Sequence, residues 1–163
     1  MYFCNMKKVT IIFTTLLFVL LISSCDDSRI FEENKDFESY AWSYENIVKF
    51  ETELTDSLAN NVIVNFRHTH FFGSRNLLLM LHITTPSGKK TTTKINIPLS
   101  EPNGMWYADC TGDICDIQYN VPEFKNYTFS ETGKYTFELE QEMRESPLKN
   151  VMAVGLRIEK ASK

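Results

Sequence analysis

The sequence predicts an all-β protein, a single antiparallel β-sandwich domain of jelly-roll or immunoglobulin-like type. Two observations carry this. Apolar residues recur with period two in six short runs, and the gaps between the runs hold turn-forming combinations of Gly, Pro, Asn and Ser. Alternation puts one set of side chains on one face of a strand, so each run is read as a strand with an apolar side to bury.

The runs follow in order. Val62, Val64 and Phe66 alternate with Ile63, Asn65 and Arg67. Residues 77–83 are apolar on both parities, the pattern of a central strand covered on both faces. Ile95, Ile97 and Leu99 alternate with Asn96 and Pro98, and Ile117, Tyr119 and Val121 with Gln118 and Asn120. Tyr135, Phe137 and Leu139 come next, and Met152, Val154, Leu156 and Ile158 close the chain. Gly73-Ser74, Pro86-Ser87-Gly88, Pro102-Asn103-Gly104 and Glu131-Thr132-Gly133 mark reversals. Short helices fit only near residues 55–59 and 140–144.

Ahead of the domain, Lys7 and Lys8 precede an apolar stretch at residues 9–22 that only threonine interrupts. A spanning helix needs about 20 apolar residues and a signal h-region about 7 to 15, so this stretch reads as a cleaved secretory signal. Ile22-Ser23-Ser24-Cys25 then places two small residues before a cysteine, the pattern of a lipobox. Small residues let the chain enter a peptidase extended, and the Cys25 thiol is the nucleophile that accepts a diacylglycerol. The division is therefore a signal peptide at residues 1–24, a lipidated cysteine and tether at 25–36, and a β-sandwich domain at 37–163. Seven of the eleven residues in 26–36 are charged, which suits a solvated tether. Asp26 and Asp27 resemble export signals of surface lipoproteins, so attachment to the outer membrane is expected.

Loss of the signal removes two lysines, leaving 15 basic against 21 acidic side chains and a net charge of -6. A domain of that sign repels nucleic acid and anionic headgroups, and neither is expected as a ligand. The membrane is reached through lipid.

Several pieces of the chain together resemble the gliding-motility lipoprotein GldH family of Bacteroidetes. They include the strand and turn at residues 76–88, then Gly104-Met105-Trp106 leading to Gly112-Asp113-Ile114 and Asp116. Residues 129–133 with Tyr135-Thr136-Phe137, the run Glu140-Gln141-Glu142-Met143-Arg144, and the terminal Val154-Gly155-Leu156-Arg157-Ile158-Glu159-Lys160 complete them. The resemblance implies a role in the envelope machinery of gliding, linked to type IX secretion, with envelope proteins as partners and no catalytic residue. The cysteines flanking Gly112-Asp113-Ile114 and the histidines at 68 and 70 depart from the family pattern.

Cys110 and Cys115 remain once Cys25 is acylated, and an oxidising compartment favours a disulfide between them. Closing so short a loop stabilises by roughly 2 kcal/mol, a local staple. A Cys2His2 zinc site would need His68, His70 or His82 beside them. Pairing Phe66 with Leu81 and Val64 with Ile83 in a hairpin makes one continuous apolar face and sends His82 to the other side. No metal or other cofactor is expected, and the histidines are expected at partly exposed strand ends. Asp113 and Asp116 form no calcium-loop spacing, and no nucleophile elbow or phosphate loop occurs, so no enzyme activity is expected.

Phe71 and Phe72 beside Gly73 are the expected partner contact, at a loop tip hard to bury in a tight hairpin. A carbohydrate-binding lipoprotein is the competing reading, with Trp42 or Trp106 as a stacking platform. Exposed coplanar aromatics would favour sugar; buried tryptophans with an exposed apolar loop would favour a protein partner.

Overall fold

A computed structural model describes residues 28–161. Twelve strands and one 3₁₀ turn make up the described chain, with no α-helix among the described residues. One sheet has the order β1 (Arg29–Asp36), β12 (Val151–Lys160), β4 (Ala59–Thr69), β8 (Ile114–Asn120) and β7 (Asp109–Thr111), with β9 (Tyr127–Thr128) also paired to β4. The second has the order β3 (Val48–Leu54), β10 (Gly133–Gln141), β5 (Asn76–Thr84) and β6 (Lys90–Pro98). β2 (Ala41–Trp42) and β11 (Leu148–Lys149) form a separate short ladder, and the 3₁₀ turn is Pro122–Phe124. All ladders are antiparallel.

Most of the residues predicted from alternation form the core; Ile117 and Tyr119 pack half-buried against it, and Met152 lies outside it. Val62, Val64 and Phe66 align with Ile158, Leu156 and Val154 across β4 and β12, and Phe50, Phe137 and Ile83 align across β3, β10 and β5. Both groups belong to one buried cluster between the sheets. At about 25 cal/mol per Å² of apolar surface removed from water, this interlayer burial is the main favourable term of folding.

Four expectations are corrected. The Phe66–Leu81 hairpin does not form: β4 lies between β12 and β8, whereas β5 lies between β10 and β6. Residues 70–75 carry the chain from one sheet to the other, and the two apolar sets meet across the core instead of side by side. Alternation dictates which face is buried but not which strand is the neighbour. Second, β5 is central yet alternates between buried Leu77, Leu79, Leu81 and Ile83 and half-buried Leu78, Met80 and His82. Third, neither expected helix forms: residues 55–58 join β3 to β4, which begins at Ala59, and β10 runs to Gln141.

Fourth, the charged segment read as a tether is strand β1 from Arg29 onward, paired with β12 along Arg29–Asp36. It is a sheet edge, where charge discourages pairing with another chain, so a charge-rich edge strand and a solvated linker look alike in sequence. Glu32 is bonded to Arg29 at 2.8 Å.

Register also explains Gly155. It stands in β12 between Asn34 and Asn65, and a Cβ there would lie 1.8 Å from Asn34 Oδ1 and 2.8 Å from the Glu33 carbonyl oxygen. The Asn34 side chain can move, but the carbonyl belongs to the β1 backbone. Gly155→Ala should therefore destabilise by about 1–3 kcal/mol, read as a lower urea midpoint. Gly73→Ala, where nothing lies within 4 Å of the added carbon, is the control and should leave the midpoint in place.

Candidate functional site

β1 leaves Ser28 and runs toward Asp36, so the sandwich has two distinct ends. Ser28, Lys160 and Ala59 lie at the end where the described chain begins, tied by Lys160 N–H to Ser28 O and Ala161 N–H to Ala59 O. The opposite end holds Asp36, Ala153, Arg67, Asp116 and Asp109, aligned in one row across five strands. Cys25 lies outside the described residues.

Beyond that row at the far end, β4 continues through His68 to Thr69, and His70 is the first residue after it. His68 is opposite Cys115 in β8, which is opposite Cys110 in β7, so the three side chains share the inner face. Gly112 at φ 61° and Asp113 make the two-residue reversal between β7 and β8, glycine supplying the left-handed position. Cys110 and Cys115 are joined by a disulfide, with Cα atoms 4.1 Å apart. His70 N–H donates to the Asp113 carbonyl at 2.7 Å, which brings its ring beside the sulfurs. One nitrogen of His70 and both Sγ atoms lie within 4.8 Å of one another.

The histidines are not alike. His70 is exposed, and His82 lies in the second sheet, bonded to Thr92 Oγ1 at 2.9 Å and Glu140 Oε2 at 3.1 Å. His82 is thus apart from the other two, because it sits in another layer. His68 is fully buried, against the expectation of a partly exposed strand end. Its ring packs on Phe66, Phe72 and Trp106. Burial pulls the imidazole below its ordinary range, so it is neutral at pH 7. Nδ1 lies 2.8 Å from the Thr69 carbonyl, which can only accept, so Nδ1 carries the proton and Nε2 the lone pair. That Nε2 is buried without a hydrogen-bond partner.

Phe71 and Phe72 separate sharply. Phe71 is 69% exposed, whereas Phe72 is 5% exposed and belongs to the core. The expected contact at Phe72 is therefore corrected: the loop crosses between sheets, and one of two adjacent aromatics must turn inward. Met105 and Tyr107, on either side of half-buried Trp106, and Ile114 at the start of β8 are also exposed. Trp106 and Phe71 both contact the His70 ring. Met105, Tyr107 and Ile114 were missed in the sequence; parity opposite to Trp106 signals the first two, and nothing signals Ile114.

The outer face of the first sheet is polar. A groove of about 290 Å³ lies over Ala153, walled by Glu32, Asn34, Asn65, Arg67 and Gln118. Arg67 grips Asp116 with a fork, Nε–Oδ1 2.7 Å and Nη2–Oδ2 3.0 Å. Asn65 donates to Glu32 and Asn34, and its Oδ1 is buried and unpartnered. Among the described residues no exposed aromatic lines the groove: Trp42 is fully buried with Nε1 donating to Asn46 O, and Trp106 packs on His68.

A profile of the GldH lipoprotein family matches residues 29–158, from the first residue of β1 nearly to the end of β12. The chain belongs to the GldH lipoprotein family. It is 29% identical over 164 residues to a gliding motility lipoprotein GldH homolog of Christiangramia forsetii, covering 96% of this chain and 99% of that one. It is 31% identical to the gliding motility lipoprotein GldH of Flavobacterium johnsoniae, covering 88% and 92%. Family membership makes this a lipid-anchored protein of the cell envelope. Among solved structures, a carbohydrate-binding module specific for non-crystalline cellulose aligns with TM-score 0.41 and 9% identity, over 80% of this chain and 75% of that chain.

Proposed function

We propose that this protein is a non-catalytic lipoprotein of the gliding and type IX secretion-linked machinery, held at the outer membrane and acting through protein contacts at its far end. The observation that carries the contact surface is the exposed group Phe71, Met105, Tyr107 and Ile114. Its position suits the task. Only Asp26, Asp27 and Ser28 separate Cys25 from β1, a reach of at most roughly 15 Å at about 3.5 Å per residue. β1 starts at the anchored end, and the apolar group sits where β1 finishes. An aromatic pointing away from the bilayer is placed to enter a partner, and a few desolvated aromatics dominate interface energetics.

Phe71→Ser is the test. At an exposed site it should move stability by less than about 0.5 kcal/mol, yet impair gliding or secretion when it replaces the native protein, and reduce crosslinking to envelope proteins. A folded variant with normal motility, secretion and crosslinks would remove this surface from the reading.

Carbohydrate binding is retained as a second reading on one observation, the polar groove over Ala153 with its unpartnered Asn65 Oδ1. Without an aromatic platform such a site would hold sugar hydroxyls by hydrogen bonds alone.

A further inference from the structure

We propose that reduction of the Cys110–Cys115 bond converts this end of the sandwich into a Cys2His2 site for a thiophilic d10 cation such as Zn²⁺, with Cys110, Cys115, His70 and His68 as donors. The cluster adjoins the apolar contact group, Phe71 lying against the His70 ring, but it rests on no part of the proposed function.

Three observations lead there. One nitrogen of His70 and both sulfurs already lie within 4.8 Å of one another. In a tetrahedral thiolate–imidazole site the donor atoms sit about 3.3–3.8 Å apart, so once the sulfur bond opens the three converge by small side-chain rotations. Cys110 is exposed and free to make them.

The second observation is the state of His68. Metal-bound histidines characteristically donate their other ring N–H to a carbonyl or carboxylate, which fixes the tautomer and aims the lone pair. His68 has that arrangement, with Nδ1–H on the Thr69 carbonyl at 2.8 Å and Nε2 buried and unpartnered. A buried acceptor left without a donor costs free energy, and such orphans are rare. His68 is also directly opposite Cys115 in the β4–β8 ladder. Its Nε2 is outside the 4.8 Å group, so ligation requires a shift of its ring against Trp106.

Third, the oxidised pair cannot perform this role. A disulfide has no thiolate to offer, so the site is gated by redox state. With a phosphine as reductant, the S–S bond breaks, two thiols form, and the phosphine becomes its oxide, water supplying the oxygen and both protons. Each thiol then releases a proton as its sulfur–metal bond forms.

The experiment uses the lipidated protein in detergent micelles, with and without phosphine, titrated anaerobically with Co²⁺ as a spectroscopic probe and then with Zn²⁺. The reduced protein should take up one equivalent of Co²⁺ with thiolate-to-metal charge-transfer absorption and the intense visible bands of four-coordinate cobalt, and Zn²⁺ should displace it. The oxidised protein should show none of this. His70→Ala, at an exposed position, should weaken binding by about tenfold or more without changing the fold, and His68→Phe, which keeps the aromatic packing, should weaken it and dim the visible bands. Absence of charge-transfer absorption, equal binding by the oxidised protein, or unchanged affinity in His70→Ala would overturn the site. An effect of His70→Ala with none of His68→Phe would overturn the fourth donor.

Discussion

Phe72→Ser is expected to cost about 3–5 kcal/mol of folding stability, the range for emptying a buried aromatic site, while its neighbour Phe71→Ser is expected to cost almost nothing. Phe72 is 5% exposed and meets Phe66 edge-on at 5.5 Å between centroids and the His68 ring at 5.3 Å. Serine there leaves a cavity and a hydroxyl without a partner, two penalties that add. Local geometry keeps the neighbours apart: Phe72 N–H donates to Thr69 O, closing a turn, and the Phe71 carbonyl accepts from Asn150 Nδ2 at 3.0 Å. Phe71 is thereby held by its backbone while its ring stays in water. A loss of that size is a large fraction of the roughly 5–15 kcal/mol that holds a domain folded. Urea denaturation of the two single variants decides the matter, and equal midpoints would show that Phe72 is not a core residue.

The reasons some features were legible and others not are physical. Val62, Val64, Phe66, Leu77, Leu79, Leu81, Ile95, Ile97, Tyr135, Phe137 and Leu139 were readable as core because strand side chains alternate strictly, and all of them are buried. Strand partnership was not readable, since Val64 is equally well buried beside Ile83 in a hairpin or facing it across a sandwich. Val151 illustrates a further limit. The parity of Val154, Leu156 and Ile158 makes Met152 the inward residue, but a register shift between Val151 and Ala153 buries Val151 and leaves Met152 half-exposed. An inserted residue leaves no mark in hydropathy.

The candidate site was legible in its parts and not in its assembly. The spacing of His68 and His70 places them on one face, and Cys110 and Cys115 bracket a turn, but their meeting depends on β8 pairing with β4, a contact between segments far apart in the chain. Judged by the hairpin with β5, the only nearby histidine was His82, and convergence failed. The burial of His68 is equally non-local, because it comes from Trp106 and Phe72 closing over the ring.

Cys25→Ser is expected to abolish lipidation completely. The sequence contains four cysteines, and of these only Cys25 stands behind a small-residue pair and an apolar run. Cys4 precedes the lysines, while Cys110 and Cys115 are folded into a disulfide. A serine hydroxyl is a far weaker nucleophile than a thiolate and offers no thioether, so acyl transfer has no substitute acceptor. Without transfer the signal is not removed, and the protein should accumulate as a larger precursor held by residues 9–22. Each buried methylene contributes about 0.8 kcal/mol, so two or three acyl chains fix the mature protein at its membrane where a single chain would not. Metabolic labelling with a fatty acid should fall to background in Cys25→Ser and stay at the native level in Cys4→Ser. Label retained by Cys25→Ser would place the anchor elsewhere, and with it the inference that Phe71 points away from the bilayer would lose its basis.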